Sequence, residues 1–113
     1  MKNKTILASH ELVLSVYKFT QHFPKEEANG LTHQLRNTAV SIPESIAEGL
    51  GRTYDNELGF FLSNSLGLVS RLNYLISLSS QLGYLNETER LNLFDKIEQV
   101  RLLLTRSINK IAA

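Results

Sequence analysis

The stretch AVSIPESIAEGLGR, residues 39–52, decides how many long helices this chain contains. Its residues favour helix on both sides of Pro43, a residue that ends or bends helices because its ring removes a backbone donor and crowds an earlier carbonyl. Pro43 could therefore stop one helix, start another or bend a single one. A fresh start is physically reasonable, since Ser41 and Glu44 have the spacing of an N-terminal capping box.

The apolar residues around Pro43 favour one continuous helix. They follow one another at steps of four, four, three, four and four, so one helical face stays apolar past the proline: Leu31, Leu35, Ala39, Ile42, Ile46 and Leu50. A new helix would normally restart with an arbitrary phase. We therefore predict one helix over residues 31–50, kinked at Pro43, and expect Gly49 and Gly51 to close it as conformationally permissive residues.

Three further segments carry apolar stripes at helical spacing. Residues 4–22 form the first helix, which ends at Phe23-Pro24 because a residue before proline is pushed out of the helical region; its stripe is Leu12, Val16, Phe19 and Phe23. The last helix opens after a candidate cap at Asn86, and its stripe is Phe94, Ile97, Val100, Leu104, Ile108 and Ile111.

Residues 55–82 form the third helix and show two overlapping stripes, one through Leu62 and Val69 and the other through Phe61 and Leu68. So wide an apolar arc indicates a helix buried either centrally in its own domain or by a partner chain. Small residues on another side would let a second helix approach closely: Gly59, Ser63, Gly67 and Ser70.

Four amphipathic helices with short connections predict an all-α fold, an antiparallel up-and-down four-helix bundle. A length of 113 residues suits a single domain over residues 1–113. No sustained apolar–polar alternation suggests a strand.

Composition narrows the functional classes. Twelve Lys and Arg against eleven Asp and Glu leave a net charge of +1, which is well short of the excess typical of non-specific nucleic-acid binders. The absence of cysteine excludes disulfides and suits the cytoplasm, where we expect the protein. No window approaches the roughly 20 apolar residues of a membrane span.

No set of residues has the spacing of a catalytic or metal site. His10, His22 and His33 lack the Glu-x-x-His or paired-histidine patterns of metal-binding bundles. We therefore expect no metal, no cofactor, no small-molecule substrate and no enzymatic activity. An enzyme using Glu44, Glu48 and His33 is the less favoured alternative. An exposed ion pair between Glu48 and Arg52, which lie one helical turn apart, explains the spacing of these charged residues more simply than catalysis does.

Basic residues near two helix ends raise the second possibility, a surface that binds nucleic acid. No acid follows Glu98, so Arg101, Arg106 and Lys110 give the last helix a basic end, which ordinarily complements a helix C-terminus. Lys25 and Arg36 could add a modest basic patch near the start of the second helix.

The run FPKEEANGLTHQLRNTAVSIPESIAEGLGR, residues 23–52, resembles the family of 23S rRNA-intervening sequence proteins, which were first noticed as reading frames within bacterial large-subunit ribosomal RNA genes. The matching positions are Phe23, Pro24, Lys25, Glu26, Glu27, Gly30, Leu31, Gln34, Arg36, Ser41, Ile42, Pro43, Ile46, Ala47, Glu48, Gly49, Gly51 and Arg52. Two positions depart from it: Ser45 stands where the family usually has Asn, and Leu68 where Glu is common. A polar contact between that Asn and Glu would be missing here.

The resemblance extends over about residues 12–113. It implies a four-helix bundle with a long second helix, assembled into a ring-like homo-oligomer, a pentamer, and it implies no established catalytic activity. We therefore predict a non-enzymatic, self-associating bundle that acts as an interaction module. The alternative is an accessory protein that binds RNA, or partners a reverse transcriptase or other nucleic-acid enzyme, through the basic residues of the assembled oligomer.

Overall fold

The computed structural model describes residues 3–112, which form four long α-helices and one short 3-10 turn. The helices are α1 (Lys4–Thr20), α2 (Leu31–Leu50), α3 (Asp55–Gln81) and α4 (Glu87–Ala112), and the 3-10 turn Lys25–Glu27 lies between α1 and α2. This part of the chain contains no strand. The prediction of an all-α fold with four helices is confirmed, although α1 ends before residue 22.

Side chains and one glycine define the helix ends. The Asn3 side chain accepts hydrogen bonds from the backbone N–H groups of Thr5 (2.9 Å) and Ile6 (3.0 Å), and so caps α1. Asn86 caps α4 as predicted, because its side chain accepts from the Glu89 N–H at 2.8 Å while Glu89 accepts from the Asn86 N–H at 3.0 Å. Gly83, with φ +83°, ends α3 in the left-handed conformation that glycine adopts without strain.

α2 runs through Pro43 without interruption. The Ser41 hydroxyl donates to the carbonyl of Asn37 at 2.8 Å, one turn back in the same helix. It therefore does not cap a new helix at Glu44, and the alternative of two separate helices is wrong. The bend of the helix axis at Pro43 stays a prediction.

Each helix packs against two neighbours, in the cyclic order α1, α2, α3, α4. At one end, called the Tyr84 end, the imidazole Nε2 of His22 lies 3.1 Å from the carbonyl oxygen of Tyr84, and the rings of Phe23 and Tyr84 are 5.3 Å apart. At the other, called the Asn3 end, residues from all four helices line one cavity of about 180 Å³, among them Thr5, Ile46, Leu58, Leu62 and Ile111. The starts of α1 and α3 and the ends of α2 and α4 thus lie at the Asn3 end.

The core takes up most residues of the predicted stripes, and Leu50, Leu82 and Phe94 are the exposed exceptions. In α2 the stripe residues Leu31, Leu35, Ala39, Ile42 and Ile46 are buried, whereas Leu50 is exposed. In α4 the stripe starts at Leu93, which is buried, and not at Phe94. One residue step turns a side chain by about 100° around a helix, so Phe94 points to solvent when Leu93 faces the core.

The wide apolar arc of α3 is largely absorbed within the bundle. Its fully buried members are Leu62, Val69, Leu72, Leu75 and Ile76, and most of the others are partly buried against the core. The small residues on its other side do not receive a helix of the same chain, since a Cβ added at Gly59 or Gly67 would meet nothing within 4 Å. None of the helices described is both long enough and apolar enough to cross a membrane.

Candidate interaction surface

Gly49 lets α2 and α3 approach closely. It is buried, and a Cβ added there would lie 2.8 Å from the Cβ of Phe61 and 3.2 Å from Cδ1 of Leu58. Gly49 is therefore needed because a residue with a side chain would not fit between the two helices. This corrects the expectation that it closes α2 through conformational freedom. Gly51 ends α2 with φ −84°, a value any residue adopts, and an added Cβ would make ordinary contacts there.

Arg52 fastens the turn between α2 and α3. Its guanidinium lies 3.0 Å from the carboxylate of Glu48 and 3.8 Å from that of Glu57, and it covers the ring of Phe61 at 5.0 Å. The predicted Glu48–Arg52 pair is thus present. The sequence did not reveal Glu57 and Phe61 as its other partners, because they belong to the next helix.

Ser45 makes a second link between α2 and α3. Its buried hydroxyl donates to the carbonyl of Phe61 at 3.0 Å and accepts from the side-chain amide of Asn64 at 3.0 Å. The Asn–Glu contact considered from the family pattern is absent at these positions, since Leu68 is apolar and partly buried. A Ser–Asn contact one turn away joins the same two helices.

Tyr84 joins the two turns at its end of the bundle. Its hydroxyl donates to a carboxylate oxygen of Glu27 at 3.1 Å, and this hydrogen bond raises the pKa of Tyr84 above its usual 10.0. The other carboxylate oxygen of Glu27 accepts from the backbone N–H of Leu31 at 3.1 Å, which caps α2. One carboxylate therefore holds the start of α2 and the turn before α4.

Arg36 holds α1 against α2. Its Nε donates to the Thr20 hydroxyl at 2.9 Å, and its guanidinium covers the ring of Tyr17 at 4.7 Å. Together with His33 and other residues it lines a groove of about 300 Å³ between the two helices. Half-buried and bonded in this way, Arg36 is more a packing residue than a free surface cation.

The structure does not gather the predicted basic residues into one patch of a single chain. Lys25 and Arg36 lie towards the Tyr84 end, whereas Lys110 lines the cavity at the Asn3 end. Arg101 donates to the carboxylate of Glu98 at 3.2 Å, while Arg106 and Lys110 are exposed.

The carboxylates and histidine considered for catalysis do not converge. Glu44, Glu48 and His33 are exposed along α2, and His33 lies roughly 22 Å from Glu48 at the 1.5 Å rise of a helix. Residues 3–112 contain no cluster of three or more His, Cys, Asp or Glu side chains that could hold a metal ion.

Exposed apolar side chains distinguish the surfaces of the helices. Phe60 is 67% and Tyr74 64% exposed on α3, and Leu7 and Leu14 are exposed on α1. By contrast, residues 31–49 of α2 expose no large apolar side chain. Sequence reasoning missed these residues, because it sought stripes that fill a core and did not search for apolar residues outside them.

Two outer faces follow from this exposure. On α3, five exposed residues follow one another at alternating steps of four and three, and we call them the α3 face: Phe60, Asn64, Gly67, Arg71 and Tyr74. We name the α1 face by its exposed residues in the same spacing, Leu7, Glu11, Leu14 and Lys18. This spacing is the seam along which two helices pack in coiled coils.

Comparisons with known proteins identify a family and a similar fold. The model of the 23S rRNA-intervening sequence protein family matches residues 1–106. A 1.70 Å crystal structure of a protein with unknown function from the S23 ribosomal protein family of Bacteroides thetaiotaomicron VPI-5482 is similar in fold, with a TM-score of 0.82 and 17% identity. The similarity covers 92% of this chain and 97% of that one. No curated protein matches the sequence.

Proposed function

Because this chain belongs to the 23S rRNA-intervening sequence protein family, in which no catalytic function is indicated, we propose that it is a non-enzymatic, self-associating helical bundle. In this role it acts as an interaction module. The observation that carries the proposal is the exposure of Phe60 and Tyr74 on α3, whose residues 58–81 contain a single charge, Arg71. A surface of this kind favours contact with another protein surface over contact with water.

The family resemblance supports a ring-shaped homo-oligomer, a pentamer, and the absence of cysteine suits a cytoplasmic location. The polar outer side of α2 and the exposed apolar side chains on α1, α3 and α4 support assembly through particular sides of the bundle. A bundle that assembles in this way can present the same partner site several times, which raises avidity without new contacts in each copy.

Sedimentation velocity on the whole protein, at concentrations spanning about a hundredfold around micromolar, tests self-association. The proposal predicts species heavier than the 12.8 kDa chain, with a distribution that shifts with concentration if dissociation lies in this range. A single 12.8 kDa species at every concentration would remove it.

A second candidate, binding of nucleic acid by the assembled oligomer, is favoured by Lys25, Arg106 and Lys110. These three are exposed and form no ion pair within residues 3–112. Assembly would repeat them around a ring and build a basic surface that one chain lacks. Fluorescence anisotropy with a labelled RNA should show affinity that falls steeply with added salt. Binding that did not weaken with salt, or no binding to the oligomer, would contradict this candidate.

A further inference from the structure

We propose that the cavity at the Asn3 end binds a small amphipathic carboxylate, a molecule with one carboxylate group and an apolar part of about six to eight carbons. The apolar part lies among side chains of all four helices, and the carboxylate meets Lys110 and two hydroxyl groups. This inference does not rest on self-association. It adds a small ligand to the interaction module, and the ligand is held without being converted.

The cavity has the size and the lining of a site for a small apolar group. Its volume is about 180 Å³, and the apolar side chains of its wall include Ile46, Leu58, Leu62 and Ile111. An engineered protein cavity of about 150 Å³ with a similar lining stays dry and binds benzene. The cavity at the Asn3 end therefore has room for an apolar group of that size.

Leu50 shows that the cavity is open on one side. It continues the apolar stripe of α2 in phase, and it lines the cavity, yet its residue is 46% exposed. In a close-packed core, neighbouring side chains would cover a leucine at this position. A ligand can therefore enter beside Leu50 and cover part of it, and this burial of apolar surface favours binding.

Two hydroxyl groups at the cavity have no hydrogen-bond partner within residues 3–112. Thr5 is only 8% exposed, and its backbone N–H donates to Asn3 while its hydroxyl stays unpaired. The Ser107 hydroxyl is also unpaired, whereas Thr105 on the same helix donates to the carbonyl of Arg101 at 2.9 Å. No side-chain N or O atom sealed inside this part of the chain lacks a partner, so both hydroxyls are accessible, and the cavity is the space that their residues line. An acceptor in the cavity would satisfy them.

The charge at the cavity selects an anion. Lys110 is the single charged residue of the lining in the part of the chain that the structure describes. It is exposed and forms no ion pair there. Three acids near this end lie outside the lining, Glu48, Asp55 and Glu57, and Arg52 engages the first and the third. An ionised carboxylate only accepts hydrogen bonds, so it suits one ammonium and two hydroxyls together.

Methyl NMR of the whole protein, labelled at isoleucine and titrated with octanoate, locates the ligand. Ile46 and Ile111 line the cavity, so their resonances should shift and saturate. Ile76 and Ile97 are buried elsewhere in the core and serve as internal controls whose resonances should stay unchanged. The absence of a saturable shift at millimolar octanoate, as when another copy covers the cavity, would overturn the proposal. Equal shifts of all four residues would overturn it as well.

Isothermal titration calorimetry tests the head group, with circular dichroism to confirm that each variant is folded. Lys110→Met removes the charge, keeps an apolar side chain and should weaken octanoate binding about tenfold or more. Lys25→Met removes an exposed cation at the Tyr84 end and should leave the affinity unchanged. Thr5→Val keeps the shape of the side chain without its hydroxyl and should weaken binding about threefold or more.

The neutral ligand 1-octanol, with the same chain length, completes the comparison. It should bind the unmodified protein more weakly than octanoate does, and it should bind Lys110→Met as it binds the unmodified protein. Equal affinity of the unmodified protein for octanoate and 1-octanol would overturn the assignment of a carboxylate. Undiminished octanoate binding by both Lys110→Met and Thr5→Val would overturn it too.

Discussion

Replacing Gly49 by alanine tests the account of how α2 and α3 pack. The new Cβ would lie 2.8 Å from the Cβ of Phe61, about 0.6 Å inside the 3.4 Å at which ordinary contacts begin. That neighbouring atom is attached directly to the backbone of α3 and cannot rotate away. The two helices must therefore separate, and overpacking of this kind typically costs about 1–3 kcal/mol.

The better helix propensity of alanine opposes this cost by about 1 kcal/mol. We therefore expect Gly49→Ala to have a free energy of unfolding between about equal to the unmodified protein and about 2 kcal/mol below it. Gly59→Ala is the control, because its Cβ meets nothing within 4 Å. It should show the propensity gain alone, up to about 1 kcal/mol.

Urea unfolding followed by circular dichroism measures the difference, at one protein concentration for all variants because association contributes to stability. Gly49→Ala should be about 1–3 kcal/mol less stable than Gly59→Ala. Equal stability of the two variants would refute the argument that Gly49 is needed for close approach.

Three further changes are expected to alter stability in the same assay. Ser45→Ala removes two hydrogen bonds between α2 and α3 and should cost about 1–2 kcal/mol; an unchanged midpoint would contradict this. Tyr84→Phe should lower stability at neutral pH, because the folded-state pKa of Tyr84 is raised by its hydrogen bond to Glu27. That contribution is fully present below the unfolded pKa near 10.0 and is lost as pH rises through the folded value, so the two proteins should converge at alkaline pH. Pro43→Ala returns a donor to the Ala39 carbonyl and should raise stability by up to about 3 kcal/mol, whereas a clear loss would contradict it.

The sequence predicted the helices because their signals are local. The unbroken spacing of the apolar residues predicted that α2 continues past Pro43, and Asn86 predicted the start of α4. The errors lay where phase was ambiguous. Leu93 and Phe94 are adjacent and both apolar, and which of them faces the core depends on how α4 is rotated against its neighbours.

The contacts between helices could not be predicted in the same way. Nothing in the spacing around Ser45 indicates that it meets Asn64, since the two residues belong to different helices. Gly49 could be recognised as unusual but not as a point of close approach, because that requires the position of Phe61. The outer faces were missed for a related reason. An apolar residue can be recognised as exposed only when the residues that form the core are known.

Self-association is tested most directly by native mass spectrometry of the unmodified protein at micromolar concentration. The account predicts assemblies of several 12.8 kDa chains. A spectrum that shows the 12.8 kDa monomer alone would contradict it.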